Sequence, residues 1–157
     1  MMTRALKSIY LAGTINSNPK TYEWREEAKE ILGRHYKILD PTNNRFNKKA
    51  IKEHKGDPKE FTQHCIDDSQ GILIVKDFNL VKQSDILLVN LNYVIAEKPS
   101  IGTMFELAWA WLLKIPVIAI AGDDLYSKHP FVAGGSVSAW AKDLEEACKI
   151  IEDFFVD

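Results

Sequence analysis

An α/β fold, with a mostly parallel sheet of about five strands covered by helices on both faces, is predicted by three observations. Short, near-continuous apolar runs recur at SIYLAG (8–13), ILLVNL (86–91) and PVIAIA (116–121). Runs of this kind suit strands buried on both faces, whereas a strand with one wet face alternates. Between them lie segments whose apolar residues recur at three- and four-residue spacing, the period of an amphipathic helix. The third observation is size. At 157 residues, with no linker, repeat or low-complexity stretch, residues 1–157 read as a single domain able to bury a core.

The first strand, Ser8 to Gly13, is closed by its glycine. A helix follows over TYEWREEAKEILGRH (21–35), with Tyr22, Trp24, Ala28, Ile31 and Leu32 as its apolar positions and Gly33 as its stop. Tyr36 to Leu39 is a second short strand ended by Asp40-Pro41. Thr42 to Lys59 is polar and basic, is interrupted by Gly56 and Pro58, and reads as a long loop with room for one helical turn. Loops of that length often act as lids. From Phe61 to Gln83 the apolar residues Ile66, Leu73, Val75, Phe78 and Val81 do not alternate, which favours a helix with Gly71 as a break point. Ile86 to Leu91 is the central strand. Ser100 to Leu113 is helical, with Met104, Leu107, Ala108, Trp111 and Leu112 at helical spacing. Pro116 to Ala121 and Val137 to Trp140 supply the last strands. Leu144 to Val156 closes the chain as a helix with Leu144, Ala147, Ile151 and Phe155 inward.

Right-handed crossovers between parallel strands turn this order into a Rossmann/flavodoxin-like three-layer sandwich. Ligands of such folds sit at the carboxyl ends of the strands. The segments that matter are therefore 12–17, 40–44, 90–103 and 122–135.

Composition narrows the partner. Hydrophobic residues make up 46% and the formal net charge is −2, so neither a polyanion nor an anionic membrane is an expected ligand. A small molecule is expected instead. The amino-terminal sequence lacks the apolar stretch of ~7–15 residues that a secretory signal needs. The run at 115–122 falls far short of the ~20 residues that span a bilayer. Cys65 and Cys148 stand in no metal or redox spacing and read as core thiols of a cytoplasmic protein. His35, His54, His64 and His129 show no HExxH or paired spacing, so no metal site and no cofactor are expected. Gly13 lacks the rest of a GxGxxG pattern, and no P-loop, GxSxG elbow or Cys/His pair is present.

The chemistry-bearing segment is KPSIGTMFELAWA (98–110). Ser100 and Thr103 can cap a helix, and Gly102 lets a ligand approach the first-turn amides. Glu106, about one turn in, then lies at the crevice, where a carboxylate could attack an anomeric carbon. A plain first-turn glutamate favoured by the helix dipole fits the same spacing. Tyr10 on the first strand could orient such a carboxylate, or be a core tyrosine. Asp77 could handle a proton on a departing base or be a solvated helix residue, and Asp85 suits a turn at the start of the central strand.

Taken in order, these segments resemble the nucleoside 2-deoxyribosyltransferase family over nearly the whole chain. The resemblance is carried by IYLAGT (9–14), Trp24-Arg25, Asp40-Pro41, IVKDFNLVKQSDILLVNLN (74–92), SIGTMFELAWA (100–110), PVIAI (116–120), HPFV (129–132) and LEEACKIIEDF (144–154). It implies that Glu106 is the nucleophile that takes up the deoxyribosyl group, that Tyr10 orients it, and that Asp77 assists protonation of the leaving base. Gly13, Thr14, Ile15, Asn16, Ser100, Gly102 and Thr103 are the implied substrate-binding residues. The implied activity is transfer of deoxyribose from a 2'-deoxynucleoside to a second nucleobase, without cofactor, by a homo-oligomer. Transferases of the family carry an aspartate where this chain has Ser100. A serine there is similar to the related 2'-deoxynucleoside 5'-monophosphate N-hydrolases, although their arginine after the first turn is replaced by Asn16. Transferases also complete the site with a late asparagine from a neighbouring subunit, and no asparagine follows Asn92 here. Hydrolysis of a 5'-monophosphate is thus the alternative reaction, and a non-catalytic nucleotide sensor a second one. Phosphoribohydrolases that activate cytokinins share GT-x-x-E but precede it with PGG, where this chain has PSI.

Overall fold

The computed structural model describes residues 5–16, 18–53, 58–69, 71–93, 100–121 and 127–156. Ser17, His54, Lys55, Gly56 and the 122–126 part of the last strand-end segment, all touched by the sequence reading, lie outside the described residues. Five parallel strands form one sheet in the order β2-β1-β3-β4-β5, with β1 at Ser8–Gly13, β2 at Lys37–Leu39, β3 at Ile86–Asn90, β4 at Val117–Ile120 and β5 at Ala139–Ala141. The helices are α1 (Lys20–Leu32), α2 (Arg45–Glu53), α3 (Pro58–Ser69), α4 (Ile72–Lys82), α5 (Ile101–Leu112) and α6 (Leu144–Phe155). The strand order reverses between β1 and β3, and a crevice opens at such a switch point.

Alternate residues of the strands feed two cores. Ile9, Leu11, Ile86, Leu88, Ile118 and Ile120 pack with Trp24, Ala28 and Leu32 of α1 and with Ala147 and Ile151 of α6. Tyr10, Ala12, Leu87, Val89, Val117 and Ala119 pack with Val81 of α4 and with Leu107 and Ala110 of α5. Each fully buried aliphatic side chain contributes roughly 1.5–3 kcal/mol, which explains why β1, β3 and β4 read so plainly as apolar runs. Asp85 accepts from the Ser8 amide at 2.7 Å and from the Ser8 hydroxyl at 3.1 Å, locking the starts of β1 and β3 together. Among the described residues no helix is long and apolar enough to cross a membrane.

Four expectations need correction. The segment 42–59 is not a loop, because it holds α2 and the start of α3. Asn47 and Ala50 are buried on the inner side of α2, and the lysines that made the segment look like a loop occupy its outer side. The helix expected over 61–83 is two helices, and Gly71 stands as the N-cap of the second. Ile66 and Val75, two of its apolar markers, are exposed. In α5 the inward residues are Thr103, Glu106, Leu107 and Ala110, while Ala108, Trp111 and Leu112 face outward. This helix is apolar nearly all round, so spacing alone could not orient it. Cys148 is a core thiol, but Cys65 is only half-buried on α3. The last strand runs over Ala139–Ala141, starting two residues later than the expected Val137 to Trp140.

Candidate active site

The third residue of β1 and the sixth of α5 meet between sheet and helix. The Tyr10 hydroxyl donates to Glu106 Oε1 at 2.5 Å, and both side chains are buried. This meeting follows from the fold. Tyr10 lies on the face of β1 that α5 covers, and Glu106 lies on the stripe of α5 that turns inward with Thr103, Leu107 and Ala110. A charged side chain on a buried stripe is unusual without a cation partner. Here burial is the largest influence and pushes the Glu106 carboxyl up to about 8, and the nearby Asp77 adds to the rise. The Tyr10 hydrogen bond and the charges of Arg25 and Lys76 oppose it. The phenol of Tyr10 is in turn held well above its ordinary value, first by burial and then by Glu106 and Asp77.

Asp77 comes from α4. Its Oδ1 pairs with Lys76 Nζ at 3.0 Å, and it is raised chiefly by burial, against the pull of Lys76 and Arg25. It acts on Glu106 through its charge, while its own close contact is with Lys76. Lys76 also donates to the Pro41 carbonyl at 2.6 Å, which ties α4 to the end of β2.

The turn after β1 follows the strand that carries Tyr10. Gly13 has φ +151°, and a Cβ there would sit 2.9 Å from the Asn90 carbonyl and 3.3 Å from Trp24 Cζ2, so only glycine lets β1 and β3 approach this closely. Thr14, Ile15 and Asn16 follow, all half-buried. Thr14 Oγ1 is buried with no hydrogen-bond partner among the described residues. The Asn16 carbonyl accepts from the Tyr22 hydroxyl at 2.5 Å.

At the head of α5, Ser100 occupies the N-cap position but makes no cap bond to the backbone. Its hydroxyl instead lies 2.6 Å from Thr103 Oγ1. The first-turn amides are thus not capped by this hydroxyl, contrary to the expected capping role. A Cβ on Gly102 would meet nothing within 4 Å, so that side of the helix start is open among the described residues. The structure therefore brings Tyr10 and Glu106 into contact and sets Asp77 within electrostatic reach, while the 13–16 turn stands at the end of β1 and the 100–103 segment at the head of α5.

Sequence reading missed the ions behind the turn. Arg25 is 1% exposed, and its Nη2 donates to the Gly13 carbonyl at 3.1 Å. Asp40 is buried at the end of β2, accepting from the Thr42 amide at 2.8 Å and the Thr42 hydroxyl at 2.7 Å, and pairing with Lys29 at 2.7 Å. Arg25 and Asp40 lie fifteen residues apart, and no periodic pattern links them. The only signal was their presence in the two strings Trp24-Arg25 and Asp40-Pro41. Among the described residues no group of three or more His, Cys, Asp or Glu could hold a metal ion. A cavity of about 320 Å³ at the ends of β3 and β4, lined by Trp24, Asn90 and Tyr93 among others, does not include Glu106.

Similar structures share this architecture. The chain resembles the 2-deoxyribosyltransferase of Bacillus psychrosaccharolyticus with a TM-score of 0.57 at 18% identity, covering 88% of each chain. It resembles the 2-desoxiribosyltransferase of Leishmania mexicana with a TM-score of 0.53 at 21% identity over 74% of this chain and 65% of that one. The CMP N-glycosidase BcmB of Clostridium botulinum aligns with a TM-score of 0.51 at 15% identity over 94% of this chain and 100% of that one. At such identities the likeness concerns the fold. No curated protein sequence matches the chain. The sequence model of the nucleoside 2-deoxyribosyltransferase family matches residues 9–129, a span that takes in Tyr10, Asp77 and Glu106 as well as the 13–16 turn and the 100–103 helix start. By that match, the chain belongs to the nucleoside 2-deoxyribosyltransferase family.

Proposed function

We propose that this protein cleaves the N-glycosidic bond of a 2'-deoxynucleoside through Glu106 and passes the sugar to another nucleobase. The observation that carries the reading is the buried 2.5 Å bond from the Tyr10 hydroxyl to the Glu106 carboxylate. A carboxylate in these surroundings is poorly solvated in its charged form, which favours its use as a nucleophile over a structural ion pair. An ester to C1' removes that buried charge. In the first step Glu106 Oε forms a bond to C1' as the C1'–N bond breaks. The bonding pair leaves with the base, which takes a proton from Asp77. In the second step the nitrogen of an incoming base attacks C1', the ester bond breaks and restores the Glu106 carboxylate, and the incoming base gives its proton to the Asp77 carboxylate left by the first step. Burial raises Asp77, and a raised carboxyl is more often protonated and so better able to donate.

The 13–16 turn and the Ser100–Thr103 helix start are the walls between which the sugar and its 5' end are placed. Thr14 Oγ1 and the open side of Gly102 are the groups that await a ligand. The same helix start supports a second reading, hydrolysis of a 2'-deoxynucleoside 5'-monophosphate. Ser100 is neutral where the family's transferases carry an aspartate, and a helix N-terminus with an open flank suits a phosphate. In that case water takes the place of the second base. A nucleotide sensor without turnover is a third reading, to which the Tyr10–Glu106 pair is superfluous. The reading takes residues 1–157 as one domain and places the enzyme, self-associating, in the cytoplasm.

Chromatography of reactions with deoxynucleosides and their 5'-monophosphates, each with and without a second free base, separates these readings. Transfer gives a new deoxynucleoside only when a base is added. Hydrolysis gives free base from monophosphates regardless of a second base. Binding without product on either panel overturns both enzymatic readings.

A further inference from the structure

The turn after β1 is held by side chains of α1. Its ladder with β3 ends at Gly13, and among the described residues no backbone–backbone hydrogen bond holds Thr14, Ile15 or Asn16. At the near end Arg25 donates to the Gly13 carbonyl at 3.1 Å. At the far end the Tyr22 hydroxyl donates to the Asn16 carbonyl at 2.5 Å. The two donors stand three residues apart, on one face of the helix. The link into α1 is tied as well, because Asn16 Oδ1 accepts from the Asn18 amide at 2.7 Å and the Thr21 hydroxyl donates to the Asn18 carbonyl at 2.7 Å.

Both oxygens of Asn16 are therefore engaged, one by Tyr22 and one by Asn18. Thr14 differs. Its Oγ1 is buried and has no hydrogen-bond partner among the described residues, two positions before the carbonyl that Tyr22 holds. A buried hydroxyl in that condition calls for a ligand or an ordered water. Thr14 also stands at the carboxyl end of β1, four residues after Tyr10, where the strand order reverses toward β3. Tyr22 suits the task of holding this turn. Burial pushes its phenol up to about 12, so it stays protonated and remains a donor through the neutral range.

We propose that Tyr22 is a positioning residue of the substrate site: by holding the Asn16 carbonyl on α1, it fixes where Thr14 Oγ1 meets the substrate. This rests on the reading of the 13–16 turn as a wall of the deoxynucleoside site. Tyr22 takes no part in the bond-breaking step, and its effect passes through the backbone of Asn16 and Ile15 to Thr14. An interaction that serves substrate and transition state alike shows in KM and leaves kcat in place.

The test compares two tyrosines that each give a hydroxyl to a backbone carbonyl. Tyr36 donates to the Ile151 carbonyl at 3.2 Å, before the start of β2 and so at the opposite edge of the sheet from the turn. Tyr22→Phe and Tyr36→Phe each delete one hydroxyl and keep the ring. Turnover is followed with deoxyadenosine, deoxycytidine, deoxyguanosine and thymidine and with their 5'-monophosphates. Tyr22→Phe is expected to raise KM about five- to tenfold, the size of one lost hydrogen bond, with kcat within about twofold of wild type. Tyr36→Phe is expected to lower Tm and leave KM in place. Thr14→Val is expected to raise KM about tenfold, and adding Tyr22→Phe to it should raise KM little further, because the group that Tyr22 places is gone.

A KM in Tyr22→Phe within about twofold of wild type overturns the proposal. So does an equal rise in Tyr36→Phe, which would trace the effect to general stability. Single effects that multiply in the double variant overturn the route through Thr14. A Tyr22→Phe that does not fold makes the hydroxyl a folding contact and overturns the proposal too. A wild type without turnover overturns the glycosidic reading, and the same variants are then compared by calorimetry for Kd toward the same compounds. There, a weakening seen in Tyr22→Phe but not in Tyr36→Phe, and lost in the Thr14→Val background, still supports the role of Tyr22. A wild type that neither turns over nor binds these compounds overturns both.

Discussion

Two buried carboxylates, at the end of β2 and one turn into α5, have nearly the same exposure and opposite surroundings. Asp40 is 9% exposed and Glu106 is 6% exposed. Asp40 has Lys29 at 2.7 Å, Arg25 at 3.8 Å and two donors from Thr42, and these hold it below its ordinary value although burial pushes the other way. Glu106 has a single phenol and faces another carboxylate, and burial carries it up to about 8. Desolvation is common to both, so depth does not distinguish a structural acid from a reactive one. The difference lies in whether the fold supplies enough donors to replace the lost water. At Asp40 it does, and the carboxylate is inert. At Glu106 it does not, and the carboxyl keeps its proton to a higher pH.

The largest effect should come from deleting the under-solvated member. Glu106→Ala is expected to lower turnover by about a thousandfold or more with the fold intact, and full activity in the purified variant would remove Glu106 from the reaction. Next comes stability against pH. Because Glu106 is raised in the folded state, its protonated form stabilises the fold fully below the unfolded value near 4.5, and that contribution is lost as pH rises through about 8. Glu106→Gln should therefore be more stable than wild type at pH 9, by on the order of 3–5 kcal/mol, and close to it at pH 4; equal differences at both pH values would contradict the contrast. With Glu106 as the proposed nucleophile, the same ionisation sets the pH profile, so kcat/KM of the wild type should climb roughly tenfold per pH unit below about 8 and then level off.

Asp40→Ala tests the satisfied member. Removing one partner of a buried ionic cluster should cost about 3 kcal/mol or more in denaturant unfolding, because Arg25 and Lys29 are left without their shared counter-charge. Asp40 is lowered, so its contribution is present above the unfolded value near 3.8 and lost as pH falls through the folded one. A pH-independent cost would show that Asp40 acts by packing alone. The smallest effect is expected from placing another carboxylate at the head of α5. Ser100→Asp should weaken 5'-monophosphates about tenfold through charge repulsion and deoxynucleosides less. Equal weakening of the two substrate sets would mean that Ser100 does not face a phosphate.

The two carboxylates were not equally legible in the sequence. Glu106 stands in a compact string, SIGTMFEL, after an apolar strand, and its place at the crevice follows from the α/β order. Asp40 reads only as a strand stop, because its charged partners, Lys29 and Arg25, stand eleven and fifteen positions away. β1, β3 and β4 were plain because strands buried on both faces need apolar residues at every position. α2 was hidden because its basic outer face outweighs the two small buried residues, Asn47 and Ala50, that fix it. The orientation of α5 was hidden for the opposite reason, since Ile101, Phe105, Trp111 and Leu112 are apolar yet exposed. Tyr10 and Glu106 could be named separately from the sequence, but their 2.5 Å contact is a property of the three-dimensional fold.

Gly102 shows that this chain does not use every stabilising residue its backbone allows. No atom among the described residues would obstruct a methyl group there, and the residue sits inside a helix where alanine is favoured by roughly 1 kcal/mol. A search for thermostability that scored only the folded chain would replace it early. The first turn of α5 would gain rigidity, and a side chain would stand on the flank that the proposed reading keeps open for a ligand. At position 102 a gain in folded-state stability and the proposed approach of a ligand to the helix start are therefore opposed.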